Sequence, residues 1–502
     1  MMIDTASLHG DQFRTADVCV IGSGPGGATV ARTLAEAGLD VLVLESGAKL
    51  DASVATRDLG PFMSRHLKDA GLRVMLGNAF VATLQADAVG GTSEINSAIM
   101  VRIPDRILKE WIEDYDLQNI SVEEMNVHYD YLEKAMMVRD TEEWSQGAKN
   151  EIVRRGFEAK GWESHALKRA VKGCHGAGDC FTSCPTGAKQ TMASSFLPAA
   201  MEAGAQVYPL CRADSVIVEG GRARGVQATI LDPNTRKPKG SLTVRCKAVV
   251  SSAGVFASPL ILRRSGVKAN GWAGRNLRGH LGVGVTGLFE EEVNGWVGAT
   301  QGWASNALFH RGLVMEQLWA PPAILLSRLP GHGIDFKKRL KEYKHCSTIA
   351  VKPRGVSTGI VREAPDGSPF MLFWVKKADV REITIGMKAC IDALFAAGAK
   401  EVYPGCHGAP PVLTDPSQSG LMLTRKFRAS DFEFAATHVF GTCRIGNNPR
   451  KSVVDSWCET HECRDLYVCD SSVLPTGTVN NPQLGTMAFA RRAALKMVQR
   501  YT

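Results

Sequence analysis

Two groups of residues in this chain have types and spacing suited to chemistry. Gly22, Gly24 and Gly27 keep a G-x-G-x-x-G spacing between an apolar run at 17–21 and a stretch of helical composition at 28–37. In such a turn the first glycine allows the tight bend, the second admits a pyrophosphate to the backbone, and the third lets helix and strand pack closely. The helix N-terminus that follows favours a diphosphate through its free N–H groups and dipole. Glu45 closes a second apolar run, 40–45, where it is placed to accept hydrogen bonds from a ribose diol. The pattern marks a dinucleotide site and leaves FAD and NAD both open.

The second group is Cys174, Cys180 and Cys184, three thiols within eleven residues, interspersed with glycines and followed by Pro185. This run predicts an iron–sulfur ligand set, because thiolates bind such clusters and glycines let a loop fold closely round the inorganic core. Three ligands suit a 3Fe–4S cluster better than a 4Fe–4S cluster, for which His175 or another cysteine would be the fourth. Zinc bound by Cys3His, and a loop with no metal at all, remain the alternatives.

The elements that must position these groups are legible in outline. Strand, turn, helix and strand fill 17–45, and both strands are continuous apolar runs, as parallel strands covered on two faces require. Residues 105–170 read as amphipathic helices. A three-stranded antiparallel meander is predicted over 213–250, with turns at Gly220-Gly221 and 232–234. Short strands at 347–351 and 370–375, a helix at 380–396 and a terminal helix at 485–498 follow. The expected fold class is α/β: a Rossmann-like domain with an antiparallel β-meander, joined to an α+β domain.

Composition narrows the function. Apolar residues are 44% and charged residues 22%, and 59 basic residues against 51 acidic ones leave a formal charge of +8 without a basic block. No nucleic-acid groove is predicted. No apolar run reaches about 18 residues, so no membrane span is expected. The polar start 1–15 lacks an export signal, and thirteen cysteines point to a reducing compartment, so a cytoplasmic location is expected.

Further segments resemble the glucose–methanol–choline (GMC) FAD oxidoreductases, in that family's order and over nearly the whole chain from residue 17. Gly90 to Asn96 resembles the flavin-side loop, in which Gly91, Thr92, Ser93 and Asn96 are the matching positions. Ser252 to Leu262, with Gly254, is similar to the second motif, and Gly274 to His280 to the segment after it. His438 to Gly446, Asp470 to Pro475 and Asn480 to Pro482 look like the C-terminal block.

The resemblance implies FAD, an alcohol substrate and hydride transfer from its carbon to the flavin. It implies His438 and Asn481 as the catalytic pair, the imidazole taking the hydroxyl proton and the amide holding the oxygen where charge develops. It also implies Asp470 and Pro482 at the cofactor, Asp470 having the plainer reading of a cap on the turn that follows.

Domain limits follow from the same order. Residues 1–110, 186–285 and 431–502 are expected to form the FAD-binding domain. Residues 111–185 and 286–430 would form the substrate domain, with a cysteine-rich loop at 173–188. The cysteine spacing is similar to that of bacterial FAD glucose dehydrogenases, whose relatives carry a three-iron cluster. A cluster would make the protein a dehydrogenase passing electrons to an acceptor protein or a quinone-like acceptor. Without one, an oxidase using O2 or a GMC-like lyase or photodecarboxylase remains open. Trp296, Trp303, Trp319, Trp374, Met315, Leu325 and Leu326 point to an apolar or ring-shaped substrate.

Overall fold

The computed structural model describes residues 1–50 and 58–502; of the expected first domain segment, 51–57 lie outside the described residues. The N-terminal unit is β1 (Gly10–Ile21), α1 (Pro25–Glu36) and β2 (Val41–Leu44). Only the last four residues of β1 are fully buried. Its more exposed first half carries no apolar run, which is why composition marks only 17–21 as strand.

A seven-stranded sheet is built on this unit. β3 (Gln206–Tyr208), β4 (Cys211–Glu219), β5 (Arg222–Leu231) and β6 (Pro238–Ser251) complete the order β3-β2-β1-β6-β5-β4, and the strand Leu466–Val468 pairs with the end of β6. β1 pairs parallel with β2 and with β6, and Leu466–Val468 is parallel to β6 too. β4, β5 and β6 form the expected antiparallel meander.

Backbone contact fixes how the turn meets this sheet. Gly22 has φ 97°, and a Cβ there would lie 2.3 Å from the Ser252 carbonyl oxygen. α1 begins at Gly24 without a side-chain cap, which costs roughly 1 kcal/mol relative to a capped start. Burial of Val30 and Leu34, at about 1.5–3 kcal/mol each, more than offsets that. The same core holds Val18, Val20, Leu42, Leu44 and Met487, the last from the terminal helix α3 (Gln483–Tyr501). Trp111, Met125, Tyr129 and Leu132 also pack in it.

A second core forms on a six-stranded antiparallel sheet whose centre is β7 (Val283–Leu288), β9 (Cys346–Pro353) and β8 (Leu313–Leu318). The helix α2 (Lys377–Ala396) covers one face, placing Ile383, Met387 and Leu394 against Val285, Met315 and Val351. The architecture is the expected mixed α/β arrangement with a second, sheet-based layer. Among the described residues no helix is long and apolar enough to cross a membrane.

The tightest approach on the first unit is at Gly26, where a Cβ would fall 1.7 Å from the Cys469 carbonyl oxygen. Backbone cannot yield as a side chain does, so Gly26→Ala is expected to lose about 1–3 kcal/mol of stability. A thermal midpoint unchanged from the parent protein would show that α1 and the 466–470 segment do not pack this closely.

Candidate active site

A cavity of about 580 Å³ opens along the carboxyl ends of the parallel strands. At one end Gly22, Gly24, Pro25 and Gly26 line it, so the uncapped first turn of α1 faces the cavity. A Cβ on Gly24 would meet nothing nearer than 3.8 Å, the open space that backbone approach to a diphosphate requires. Gly27 takes no part in the lining. A Cβ there would fall 1.9 Å from the Gly22 carbonyl oxygen, so its role is packing.

Glu45 lines the cavity from the end of β2, and its carboxylate also secures the turn. One oxygen accepts from the Ser23 amide at 3.0 Å and the Ser23 hydroxyl at 2.7 Å, and the other from the Gly47 amide at 2.7 Å. Gly91, Thr92, Ser93 and Asn96 lie on the adjacent wall. Ser93 Oγ donates to the Gly90 carbonyl at 2.7 Å and accepts from the Met192 amide at 3.0 Å. Asn96 Oδ1 accepts from the Ala98 amide at 2.9 Å, while its Nδ2 donates to Gln483 Oε1.

Gly254, Asp470 and Pro482 join the lining. Asp470 accepts from the Gly254 amide at 2.9 Å and from the Ser258 hydroxyl and, through its other oxygen, caps the turn Ser471–Val473 at the Ser472 amide, 2.8 Å away. Burial raises its carboxyl above the ordinary value against these hydrogen bonds. The plain capping role and a place on the cavity wall coexist in this residue.

At the other end His438 and Asn481 meet, with Asn481 Nδ2 3.3 Å from His438 Nε2. The imidazole faces the cavity from deep inside the protein. Burial, and then the nearby Lys352 ammonium, lower its pKa to about 3, so it is neutral. Its Nδ1 lies 3.3 Å from Nδ1 of His280, which burial also keeps neutral. Lys352 Nζ is 3.1 Å from Asn481 Oδ1 and makes a close ion pair with Glu316, whose second oxygen accepts from Gln301 Nε2 at 3.2 Å.

Neither Lys352 nor Glu316 was anticipated. The signal was present: each is the one charged residue of its strand. Cross-strand pairing sets Glu316 opposite Ala350, and Lys352 two residues further along β9, so both point to one face.

Of the expected substrate residues, Trp319 and Leu325 line the cavity beside Leu318, Ala320 and Ile324. Met315 is core, Trp303 packs against the second core, and Trp296 and Trp374 are exposed.

The iron–sulfur expectation finds no support in the structure. Among the described residues no three His, Cys, Asp or Glu side chains are grouped to hold a metal ion. The sulfurs of Cys174 and Cys180 lie 3.8 and 3.4 Å from the two terminal nitrogens of the buried Arg169 guanidinium, while Cys184 sits with Thr186 at 3.4 Å. Burial works against ionisation of Cys180, but Arg169, Lys189 and hydrogen bonds from Thr300 outweigh it and lower its pKa. A guanidinium donating to two of the sulfurs does not fit a cluster on all three. The same grouping gives the zinc alternative no support.

Comparison with known proteins agrees with this geometry. The GMC oxidoreductase family matches in two parts, over residues 39–282 and 357–490. A GMC-type oxidoreductase of Sinorhizobium fredii is 32% identical over 97% of this chain and 95% of its own length. A long-chain-alcohol oxidase of Arabidopsis thaliana is 27% identical over 94% of this chain and 66% of its own. The structure of formate oxidase from Aspergillus oryzae superposes with a TM-score of 0.74 at 15% identity, covering 98% of this chain and 99% of that one. The glycine turn, the strand ends around one cavity and a relative aligned over nearly the whole length lead to one conclusion: this chain belongs to the GMC oxidoreductase family, with an FAD-binding Rossmann-like domain and a substrate domain.

Proposed function

We propose that the protein oxidises the CH–OH group of an apolar alcohol, with FAD held between the α1 turn and the His438–Asn481 pair. The observation that carries this reading is that pair, 3.3 Å apart on the wall of a cavity that begins at an uncapped helix N-terminus. The turn amides and Glu45 suit the diphosphate and ribose of the cofactor, and the loop with Gly91, Thr92, Ser93 and Asn96, together with Gly254, Asp470 and Pro482, suits the remainder. Bound there, FAD supplies the two-electron acceptor for the hydrogen leaving the substrate carbon.

The protein's own groups do the rest. His438, neutral at working pH, accepts the hydroxyl proton at Nε2, and the Asn481 amide donates to the same oxygen as negative charge builds on it. Leu318, Trp319, Ala320, Ile324 and Leu325 exclude water and give the carbon chain an apolar wall. The long-chain-alcohol oxidase among the relatives supports an extended aliphatic alcohol. The same relative, named an oxidase, supports O2 as the acceptor.

His438→Ala is expected to retain FAD but to lose about 10²–10⁴-fold in the rate at which a saturating alcohol bleaches the flavin under anaerobic mixing. Bleaching at the parent rate would remove His438 from the base role, and no bleaching of the parent protein by any alcohol would favour the lyase reading.

A series of straight-chain primary alcohols tests the apolar wall. Each added CH2 buried is worth about 0.8 kcal/mol, so kcat/KM rises about fourfold per carbon until the cavity is full. A response flat in chain length would mean that the apolar wall does not bind the substrate.

A further inference from the structure

The donors and acceptors behind the pair form a chain with one solution. An ammonium only donates, so Lys352 Nζ at 3.1 Å fixes the oxygen end of the Asn481 amide toward itself. The NH2 end must then face His438, and because NH2 only donates, His438 Nε2 is unprotonated and accepts from it with its lone pair. A neutral imidazole with a bare Nε2 has its proton on Nδ1, which donates to His280 Nδ1 at 3.3 Å. The proton of His280 is thereby left on Nε2, a buried nitrogen without a hydrogen-bond partner among the described residues.

We infer that Lys352, held by Glu316, is a positioning residue that sets the orientation of the Asn481 amide and, through it, the tautomer that leaves His438 Nε2 free to accept a proton. The inference rests on the proposed base role of His438. With Lys352 absent the amide is free to turn over and present its oxygen to His438. The imidazole then places its proton on Nε2, where it has no lone pair for the substrate. Lys352 is 7% exposed and Glu316 5%, so water does not substitute for either one. Gln301 holds the far oxygen of Glu316 at 3.2 Å and keeps the pair in register.

The same ammonium acts on His438 through charge. The charged groups around the two histidines are Lys352 on β9, Glu316 behind it on β8, and Arg354, which follows β9 and itself pairs with Glu110. Lys352 lowers the pKa of His438, so removing its charge moves the acid limb of the rate profile to higher pH, toward the ordinary imidazole value.

The test is flavin reduction of the FAD-loaded protein by a saturating alcohol, followed against pH in three variants. The Lys352→Met/Glu316→Gln double variant leaves no unpaired buried charge. Its limiting rate should fall up to about 100-fold, with KM little changed and the acid limb displaced upward. Glu316→Gln alone keeps the ammonium and should not raise the acid limb. Lys352→Arg, which only donates, should recover most of the rate.

A general loss of packing would not split the variants in this way. If the double variant does not hold FAD, Lys352→Gln serves in its place, being neutral, of similar length and able to donate to Glu316. Parent rate and acid limb in the charge-free variant would overturn the inference. An inactive His438→Ala alongside would show that the base assignment stands and only the Lys352 role has failed, whereas an active His438→Ala would remove the base reading itself.

Discussion

Parallel pairing of β1 with β2 and with β6 is the constraint on which the site depends. It brings the carboxyl ends of these strands, and of Leu466–Val468, to one edge of the sheet. The residues that leave that edge are Gly22, Glu45, Ser252 to Gly254 and Asp470, and all of them line the cavity. Ligands of open α/β sheets bind in the crevice outside the strand carboxyl ends. Here the crevice is closed by hydrogen bonds between the turns themselves. Glu45 ties the first turn, Asp470 ties the Gly254 turn, and the Gly90 amide donates to Ser23 Oγ at 2.9 Å. Loss of register in β1 would separate all three turns at once.

The second sheet contributes differently. Its inner face is mostly apolar, yet it buries the Lys352–Glu316 pair. Desolvating two charges costs several kcal/mol per ion before their attraction is counted, and such a pair often stabilises no better than apolar residues of similar size. Stability is therefore a weak reason for its presence. The hydrogen bond from Lys352 to Asn481 supplies a stronger one, because an apolar residue in its place leaves the amide unoriented.

Much of this was legible in the sequence, and the exceptions share a cause. Continuous apolar runs and glycine turns report local structure, so α1, β2, the meander and the terminal helix were read within a few residues. The motif residues named for the cofactor and the catalytic pair, Gly27 apart, are gathered by the fold on one cavity. Gly27 reads as a motif residue yet packs helix on strand. Lys352 and Glu316 escaped because their meaning arises from pairing between strands far apart in the chain. For the cysteines, spacing gave the distance along the backbone but not which cation would stand between the thiols. Arg169, five residues before Cys174, is the residue that stands there.

Charge balance links the two halves of the site. In the protein alone the Lys352 ammonium and burial both oppose a proton on His438, which makes the imidazole a weak acceptor at rest. In the proposed reaction the proton leaves an oxygen beside the same groups, and the negative charge that develops there is what offsets Lys352. Asn481 lies between them, its oxygen on the ammonium and its NH2 facing His438 and the cavity, so polarisation by Lys352 strengthens the donor as the charge appears. The arrangement therefore favours the base only while an oxygen of developing negative charge occupies the site. That is the behaviour expected of a group that binds the transition state more tightly than the substrate.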